Sequence, residues 1–212
     1  MRLLILASKL GYQTRGFAEA AQRVGAEVVC ATDRCQQLDD PWRDGAIATH
    51  FEKPEDAAAH ILSALATRPI HGVLALGDRP TTTAAYVTRA LGLPGNSPRT
   101  VGNCRSKLLQ REVLSQAGLP VPHFFAFSLS DDAARIARTA PYPCVLKPLA
   151  LAASQGVIRA NNEGEFIAAA RRIAALLANP EVQVLREPAL SSILVESYIP
   201  GDEVAVECLL DR

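Results

Sequence analysis

A lysine between an apolar stretch and a loop of small residues is the first candidate for chemistry. Lys147 stands in the run YPCVLKPLALAASQG, residues 142–156, and Pro148 biases its backbone toward an extended conformation. The loop that follows, 149–156, is rich in Ala and Ser and ends at Gly156, so backbone N–H groups could approach a ligand closely. A rigid lysine beside such a loop is one way to bind a phosphate chain. The alternative is a strand that ends in a solvated lysine beside a surface loop.

A second lysine, Lys107, lies in a segment with helical periodicity. Leu109, Val113 and Ala117 recur on one face of a helix predicted over residues 102–117, and Lys107 points away from that apolar stripe. Taken alone, this pattern is that of an ordinary solvated helix lysine.

Carboxylates alternate with apolar residues in the segment ILVESYIPGDEVAVE, residues 193–207. The alternation places Leu194, Glu196 and Tyr198 on one face of a strand. The turn at 200–202 predicts a hairpin whose second strand carries Glu203 and Glu207 on one face. Such carboxylates could bind ribose hydroxyls or accept a hydrogen bond from an adenine amino group. The alternative is the solvated face of an antiparallel hairpin.

Two kinds of structure must position these residues. Up to residue 90 short apolar strands alternate with helical segments, which predicts parallel strands and a Rossmann-like α/β unit. The Gly- and Pro-rich segment 91–100 is the predicted domain boundary. Beyond it, mixed helices and antiparallel strands predict an α+β unit, in which CVLKP and GVIRA are strands and a long helix begins at residue 163. The predicted domains are therefore 1–100 and 101–212.

Two places in the first domain could bind a small ligand. The segment 9–16 follows the first strand and opens a helix, so Thr14 or Arg15 could hold a substrate carboxylate at the helix N-terminus. Its glycines, Gly11 and Gly16, do not form a dinucleotide-binding GxGxxG pattern. Gly77 and Asp78 follow a strand at the end where open α/β sheets bind ligands. A turn without ligand contact and a helix cap are the respective alternatives.

The composition narrows the class of protein. The formal net charge of zero over 212 residues argues against a nucleic-acid partner, and no apolar run is long enough to cross a bilayer. Without a convincing secretory signal, an odd number of cysteines predicts reduced thiols and a cytoplasmic location. Zinc is not expected, because no pair has CxxC spacing. The five cysteines are Cys30, Cys35, Cys104, Cys144 and Cys208.

Three blocks in order make a more specific pattern than any one of them. The succession SKLLQREVLSQAGLPVP, YPCVLKPLALAASQGV and ILVESYIPGDEVAVE resembles the ATP-grasp superfamily of carboxylate–amine ligases. It is similar to the branch with glycinamide ribonucleotide synthetase, D-alanine–D-alanine ligase and L-amino-acid ligases. The resemblance covers residues from about 103 to 212, and the preceding α/β unit looks like the pre-ATP-grasp domain of that family.

The resemblance implies a role for each matching residue. One set would bind the phosphates: the lysines Lys107 and Lys147 and the loop residues Ser154, Gln155 and Gly156. A second set would bind the nucleoside: Glu196 at the adenine amino group, Ile199 and Tyr198 beside the ring, and Glu203 at the ribose. The loop is richer in alanine than is common in the family.

The chemistry implied by the resemblance is ATP-dependent. ATP would phosphorylate a small carboxylate to an acylphosphate, which an amine or a thiol would then attack. The Mg²⁺ ligands of the family are expected beyond residue 212, so no catalytic residue or metal ligand is assigned within the chain. We expect an N-terminal fragment of a longer ligase that is inactive alone. A homodimer through the strand edge after residues 207–210 is a further expectation.

Two other functions stay open from the sequence. A non-catalytic nucleotide-binding module would use the same residues without turnover. A NAD-dependent enzyme would need an acidic residue at the end of the second strand, which Asp33 roughly matches, but the glycine fingerprint is missing.

Overall fold

A computed structural model describes residues 1–8, 12–33, 45–65 and 68–208. The chain divides into two compact units. Unit 1 comprises Met1–Val113 together with Leu185–Glu187, and unit 2 comprises the remainder. Unit 1 therefore continues past residue 100, as far as Val113. The domain bounds 1–100 and 101–212 stay a prediction from the sequence.

Unit 1 is built on a four-stranded parallel sheet in the order β3-β2-β1-β4. This order is that of the first half of a doubly wound sheet, and the predicted α/β class is confirmed. The third strand has only two residues. The elements are β1 Arg2–Ala7, α1 Tyr12–Arg23, β2 Glu27–Thr32, β3 Ile47–Ala48, α2 Pro54–Leu65, β4 Gly72–Leu76, α3 Thr81–Ala90, α4 Pro98–Arg105 and α5 Lys107–Gln116, the last three residues of which belong to unit 2.

Apolar side chains of β1 anchor the core of unit 1. Leu4 and Leu6 point to one face, where they pack with Phe51, Ile61 and Val87 in a fully buried cluster. Burying side chains of this size is the main stabilising contribution to the sheet–helix contact, about 1.5–3 kcal/mol for each. The carboxyl ends of the parallel strands therefore meet at one fixed edge.

The predicted helix over residues 102–117 is wrong as a single helix, because the chain breaks at Ser106. Ser106 has an extended backbone, with φ −86° and ψ 112°, and its hydroxyl accepts a hydrogen bond from the Leu109 N–H at 3.3 Å. It thus ends α4 and caps the N-terminus of α5, a common role for serine. The predicted apolar stripe is largely exposed: Leu109 is 43% and Val113 41% accessible.

Unit 2 is built on a four-stranded antiparallel sheet in the order β5-β8-β6-β7. Helix α7 packs on one face, where its Phe166 ring stacks on Phe127. The predicted α+β class is confirmed for this unit. The elements are β5 Phe124–Ser128, α6 Ala133–Ala137, β6 Cys144–Pro148, β7 Ile158–Ala160, α7 Glu163–Leu177, α8 Pro180–Gln183, a 3₁₀ turn Pro188–Ser191 and β8 Ser192–Ser197.

The predicted hairpin after β8 is wrong. Strand β8 is central and already pairs with β5 on one side and β6 on the other. A following strand therefore has no free edge of β8 to pair with, and residues 201–208 form no strand. The predicted dimerisation edge loses this basis, and its residues 209 and 210 lie outside the described part of the chain. No helix in the described ranges is both long and apolar enough to span a membrane.

A network of buried charges closes the carboxyl edge of the unit 1 sheet. The Arg79 guanidinium lies 3.2 Å from Asp33, 3.2 Å from Glu52 and 3.7 Å from Glu187, and donates to the Leu185 carbonyl at 2.9 Å. Burial raises the pKa of the Asp33 carboxyl above its ordinary value, although Arg79 and a hydrogen bond from Ser8 act in the opposite direction. This arrangement occupies Asp33 and disfavours a NAD ribose site there.

A second arginine extends the same network. Arg105 pairs with Glu187 and lies 3.4 Å from Asp78, so Asp78 is an ion-pair partner in unit 1 as well as a residue at the end of β4.

The other predicted ligand site of the first domain is described only in part. Thr14 is half-buried and Arg15 is exposed in α1, while residues 9–11 of the same predicted loop lie outside the described residues.

Substituting Arg79 by Met should destabilise unit 1 strongly, because it removes the guanidinium that the largely buried carboxylates Asp33 and Glu52 share. We expect a loss of about 3–5 kcal/mol in the free energy of unfolding. Urea denaturation followed by hydrogen exchange in β1 would measure it. Arg99→Met, at an exposed arginine, should change the same quantity by less than about 0.5 kcal/mol; an equal effect of the two variants would contradict the network.

The contrasting variant Asp33→Asn tests whether the ionised Asp33 carboxylate stabilises or destabilises the folded state. With its pKa raised in the folded state, Asp33 stabilises the fold only below its ordinary pKa of 3.8, and this contribution is lost as pH rises through the folded value. At pH 7 the Asn variant should be as stable as wild type or more so, and its stability should fall less with rising pH above 3.8.

Candidate functional site

One face of the unit 2 sheet collects the polar candidates. Strand β6 alternates: Cys144, Leu146 and Pro148 are buried on the α7 side, whereas Val145 and Lys147 lie half-buried on the other side. The register adds residues of β8 and β7 to that second side, because directly paired residues point the same way. We call it the lysine face and define it by Val145, Lys147, Arg159, Leu194 and Glu196.

Lys147 and Glu196 form an ion pair on the lysine face. Glu196 is paired directly with Val145, so its side chain lies diagonal to Lys147, and the Lys147 ammonium contacts the Glu196 carboxylate. Glu196 is only 5% exposed, which argues against the solvated-face interpretation of this strand. Neither charge can be removed alone without leaving its partner in a poorly hydrated place.

The loop after Lys147 contains strained backbone. Ala153 and Ser154 have φ of 54° and 58°, in the left-handed region that favours glycine. Two turns shape the loop, closed by hydrogen bonds from Gln155 N–H to the Ala152 carbonyl and from Val157 N–H to the Ser154 carbonyl, both 3.3 Å. Ala153 and Ser154 of this alanine-rich loop therefore adopt a backbone conformation that glycine would adopt without penalty.

Gly156 closes the loop for two physical reasons. Its φ is +72°, and a Cβ at this position would lie 2.9 Å from Pro148 Cγ and 3.0 Å from Leu176 Cδ2. Close packing against the end of β6 thus fixes where the loop returns to β7. Ser154 and Gln155 are exposed.

The adenine-side candidates follow β8. The Tyr198 N–H donates to the Pro143 carbonyl at 2.9 Å, which extends the pairing with β6 and keeps Tyr198 on the same side as Glu196. Ile199 is 67% exposed, and Glu203 is exposed in the irregular segment 201–208. The fold therefore places Lys147, Glu196 and Tyr198 on one side of the sheet, while Ile199 and Glu203 follow on a segment outside it.

Lys107 belongs to unit 1. The break at Ser106 makes it the first residue of α5, a ten-residue helix with no acidic residue in its first turn. A helix N-terminus carries partial positive charge, so a lysine there is unfavourable for the helix and favourable for an anion. Lys107 is half-buried and interacts with another group of the protein.

Arg159 is the residue of the lysine face that sequence reasoning missed. It lies in β7 opposite Val145, and its guanidinium carbon stands 4.0 Å from the centroid of the Tyr198 ring. The strand GVIRA was predicted, but its side of the sheet depends on the antiparallel register with β6, which the sequence does not reveal.

Two family models match the chain: an ATP-grasp N-terminal domain over residues 18–95 and an ATP-grasp domain over residues 140–212. The chain belongs to the ATP-grasp superfamily. The first model covers most of unit 1 up to α3, and the second covers the segment that contains Lys147, the loop and β8. The resemblance inferred from the three sequence blocks is confirmed at this level.

Two proteins of other organisms are similar to the chain in sequence. The chain is 27% identical over 205 residues to the ATP-grasp enzyme fsqD of Aspergillus fumigatus, covering 92% of this chain and 33% of that protein. It is 26% identical over 157 residues to a D-alanine–D-alanine ligase of Anaplasma centrale, covering 73% of this chain and 70% of that one. The chain thus spans about a third of the length of the Aspergillus relative.

A solved structure supports the fold. The L-amino acid ligase from Bacillus licheniformis superposes with a TM-score of 0.64 at 24% identity, covering 94% of this chain and 44% of that one. At this identity the likeness concerns the fold alone.

Substitutions in the loop should separate its two constraints. Gly156→Ala should lower the free energy of unfolding by about 2 kcal/mol or more, because it adds a left-handed penalty to a steric clash. Ala153→Gly should raise it by up to about 1 kcal/mol, because glycine adopts positive φ without penalty. Urea denaturation measures both effects.

Ala152→Gly is the matched control, since Ala152 is an exposed loop alanine outside the left-handed region. It should be neutral or slightly destabilising. If Ala153→Gly behaved like Ala152→Gly, the loop would not adopt the described backbone in solution.

Proposed function

We propose that residues 1–212 form the nucleotide-binding part of an ATP-dependent ligase that joins a small carboxylate to an amine or a thiol. The observation that carries the proposal is the Lys147–Glu196 pair on the lysine face, within the segment matched by the ATP-grasp model. The name of one relative, D-alanine–D-alanine ligase, supports the reaction class.

The two members of the pair would bind different ends of ATP. Lys147 lies at the end of β6 where the loop begins, so its ammonium would bind phosphate together with Ser154, Gln155 and Gly156. Glu196, one row further along the face, would accept a hydrogen bond from the adenine amino group. Tyr198 and Ile199 would flank the ring. Lys107 would supply a second phosphate-binding cation, and Glu203 would bind the ribose.

The chemistry assigned to the whole ligase is two successive displacements. A carboxylate oxygen attacks the terminal phosphorus of ATP and ADP leaves, which forms the acylphosphate. The amine nitrogen then attacks the acyl carbon, phosphate leaves, and the amine loses a proton. The lysines would stabilise the charge on the phosphates before and during transfer.

Mg²⁺ would supply further positive charge at the phosphates when bound. Within the described residues no group of three or more His, Cys, Asp or Glu side chains is placed to hold a metal ion. These residues do not fit a metal site, and the metal ligands stay an expectation for positions beyond residue 212.

The ion pair predicts opposite effects of one substitution on the two ends of ATP. Glu196→Gln removes the carboxylate that competes with phosphate for Lys147, so inorganic tripolyphosphate should bind about tenfold tighter. The same change weakens the acceptor for the adenine amino group, so adenosine should bind about tenfold weaker. Calorimetric titration with each probe measures both.

Two further variants control for stability. Lys147→Met alone removes the cation that pairs with the buried Glu196 carboxylate, which can destabilise the protein. Its loss of ATP binding is therefore compared with that of the double variant Lys147→Met/Glu196→Gln, in which neither charge of the pair remains. Both should bind tripolyphosphate weakly. Effects of equal sign on tripolyphosphate and adenosine in Glu196→Gln would contradict the assignment, and so would tripolyphosphate binding that is insensitive to Lys147.

A separate expectation concerns turnover. Residues 1–212 should bind nucleotide without catalysing ligation, because the proposal assigns the metal-binding carboxylates to positions outside them. Phosphate release from MgATP in the presence of mixed carboxylates and amines should stay at background. Sustained release that requires both substrates would overturn this part of the proposal.

A further inference from the structure

We infer that Arg159 is a positioning residue that fixes the Tyr198 ring at the base-binding end of the lysine face. The inference rests on the proposed function and adds a residue to it. It assigns Arg159 to recognition of the nucleobase, through Tyr198, and not to the phosphates.

The sheet register places Arg159 at the base end. Val145 pairs with Glu196 on one side and with Arg159 on the other, so the three residues form one row across the sheet. Strand spacing puts Arg159 about 10 Å from Glu196 along that row. Lys147 lies on one side of the row, toward the loop, and Tyr198 lies on the other.

The guanidinium of Arg159 is already engaged with an aromatic ring. It stands 4.0 Å from the centroid of Tyr198, well within the range of a cation–π contact. Tyr198 itself is half-buried, so part of the side chain stays accessible. A planar cation stacked on a ring restricts the rotation of that ring more than a flexible ammonium would.

A chain of hydrogen bonds holds Arg159 in this orientation. Its Nε donates to Asn161 Oδ1 at 3.0 Å, and the Asn161 backbone N–H and side-chain amide donate to Glu165 at 2.9 and 2.7 Å. Glu165 stands in the first turn of α7, and Asn162 caps that helix by accepting from the Glu165 N–H at 3.0 Å. The hydrogen bonds from Asn161 lower the pKa of the Glu165 carboxyl below its ordinary value.

The orientation of Tyr198 is therefore tied to the N-terminus of α7. The connection runs from α7 through Asn161 and Arg159 to the ring that follows β8. A side chain fixed in this way presents a preorganised wall to a flat ligand, which reduces the entropy lost on binding.

The test compares Arg159→Met and Arg159→Lys with wild type, using adenosine and tripolyphosphate as separate probes in calorimetry. Arg159→Met should weaken adenosine and ATP by about tenfold, the upper range of a cation–π contribution. Tripolyphosphate should change by less than about twofold. Arg159→Lys should recover part of the adenosine affinity, and Arg171→Met, at an exposed arginine of α7, should change nothing.

A spectroscopic readout reports on Tyr198 without nucleotide. The ring resonances of Tyr198, assigned by their absence in Tyr198→Phe, should shift in Arg159→Met and return part of the way in Arg159→Lys. In the double variant Arg159→Met/Tyr198→Leu, the loss of adenosine affinity should be smaller than the sum of the single losses.

Three results would overturn the inference. Equal weakening of tripolyphosphate and adenosine in Arg159→Met would make Arg159 a phosphate ligand instead. Unchanged adenosine affinity, with wild type binding ATP, would reduce the stack to a surface contact and leave the proposed function intact. Wild-type protein that binds none of the probes would overturn the proposed function and this inference with it, whatever the ring spectrum shows.

Discussion

The central position of β8 in the antiparallel sheet is the constraint on which the candidate site depends. Because β8 pairs with β5 and β6 at once, Glu196 has neighbours on both sides and loses most of its contact with water. A carboxylate in such a place needs a cation, and the register supplies Lys147 from the adjacent strand. The same pairing prevents a hairpin after Ser197 and sends the chain out of the sheet, carrying Ile199 and Glu203 with it.

The two units hold buried charge in different ways. In unit 1, Arg79 is surrounded by three carboxylates and a carbonyl, and Arg105 adds a further contact to Glu187. This network connects residues that are far apart in the chain and serves the fold. In unit 2, one lysine faces one carboxylate beside a loop with strained backbone. In the proposed function, this pair would exchange its internal contact for contacts with ATP, which is anionic at one end and a hydrogen-bond donor at the other.

Sequence patterns predicted what depends on local chemistry. The strand CVLKP, the long helix from residue 163 and the parallel sheet of the first half follow from periodicity, caps and breakers, and the structure has them. Alternation alone placed Glu196 and Tyr198 on one side of a strand. The break at Ser106 was locally readable as well, since serine is a strong helix N-cap, but the apolar periodicity on both sides of it concealed the change of helix.

What the sequence could not predict depends on contacts between distant residues. The hairpin prediction used the turn at 200–202 correctly as a break, but whether β8 had a free edge depended on β5 and β6, many residues away. Arg159 was placed on a strand without a register, so its contact with Tyr198, 39 positions along the chain, was invisible. The partners of Arg79 extend from Asp33 to Glu187, a separation that no local pattern reports.

The register of three strands also gives the lysine face a direction. Lys147 and the loop that begins after it stand at one end, and Glu196 and Arg159 share the middle row. Tyr198 stands at the other end, where the Arg159 guanidinium contacts its ring. A nucleotide has the same order of chemistry along its length, from an anionic chain to a flat base with an amino group. Because backbone hydrogen bonds fix the spacing of these rows, they hold the cation, the carboxylate and the ring in sequence before any ligand arrives. Side-chain contacts then determine how rigid each position is: an ion pair in the middle, and a stacked arginine anchored to α7 at the base end. In the proposed function, this strand register would orient ATP, and separate residues would bind the two ends of the molecule.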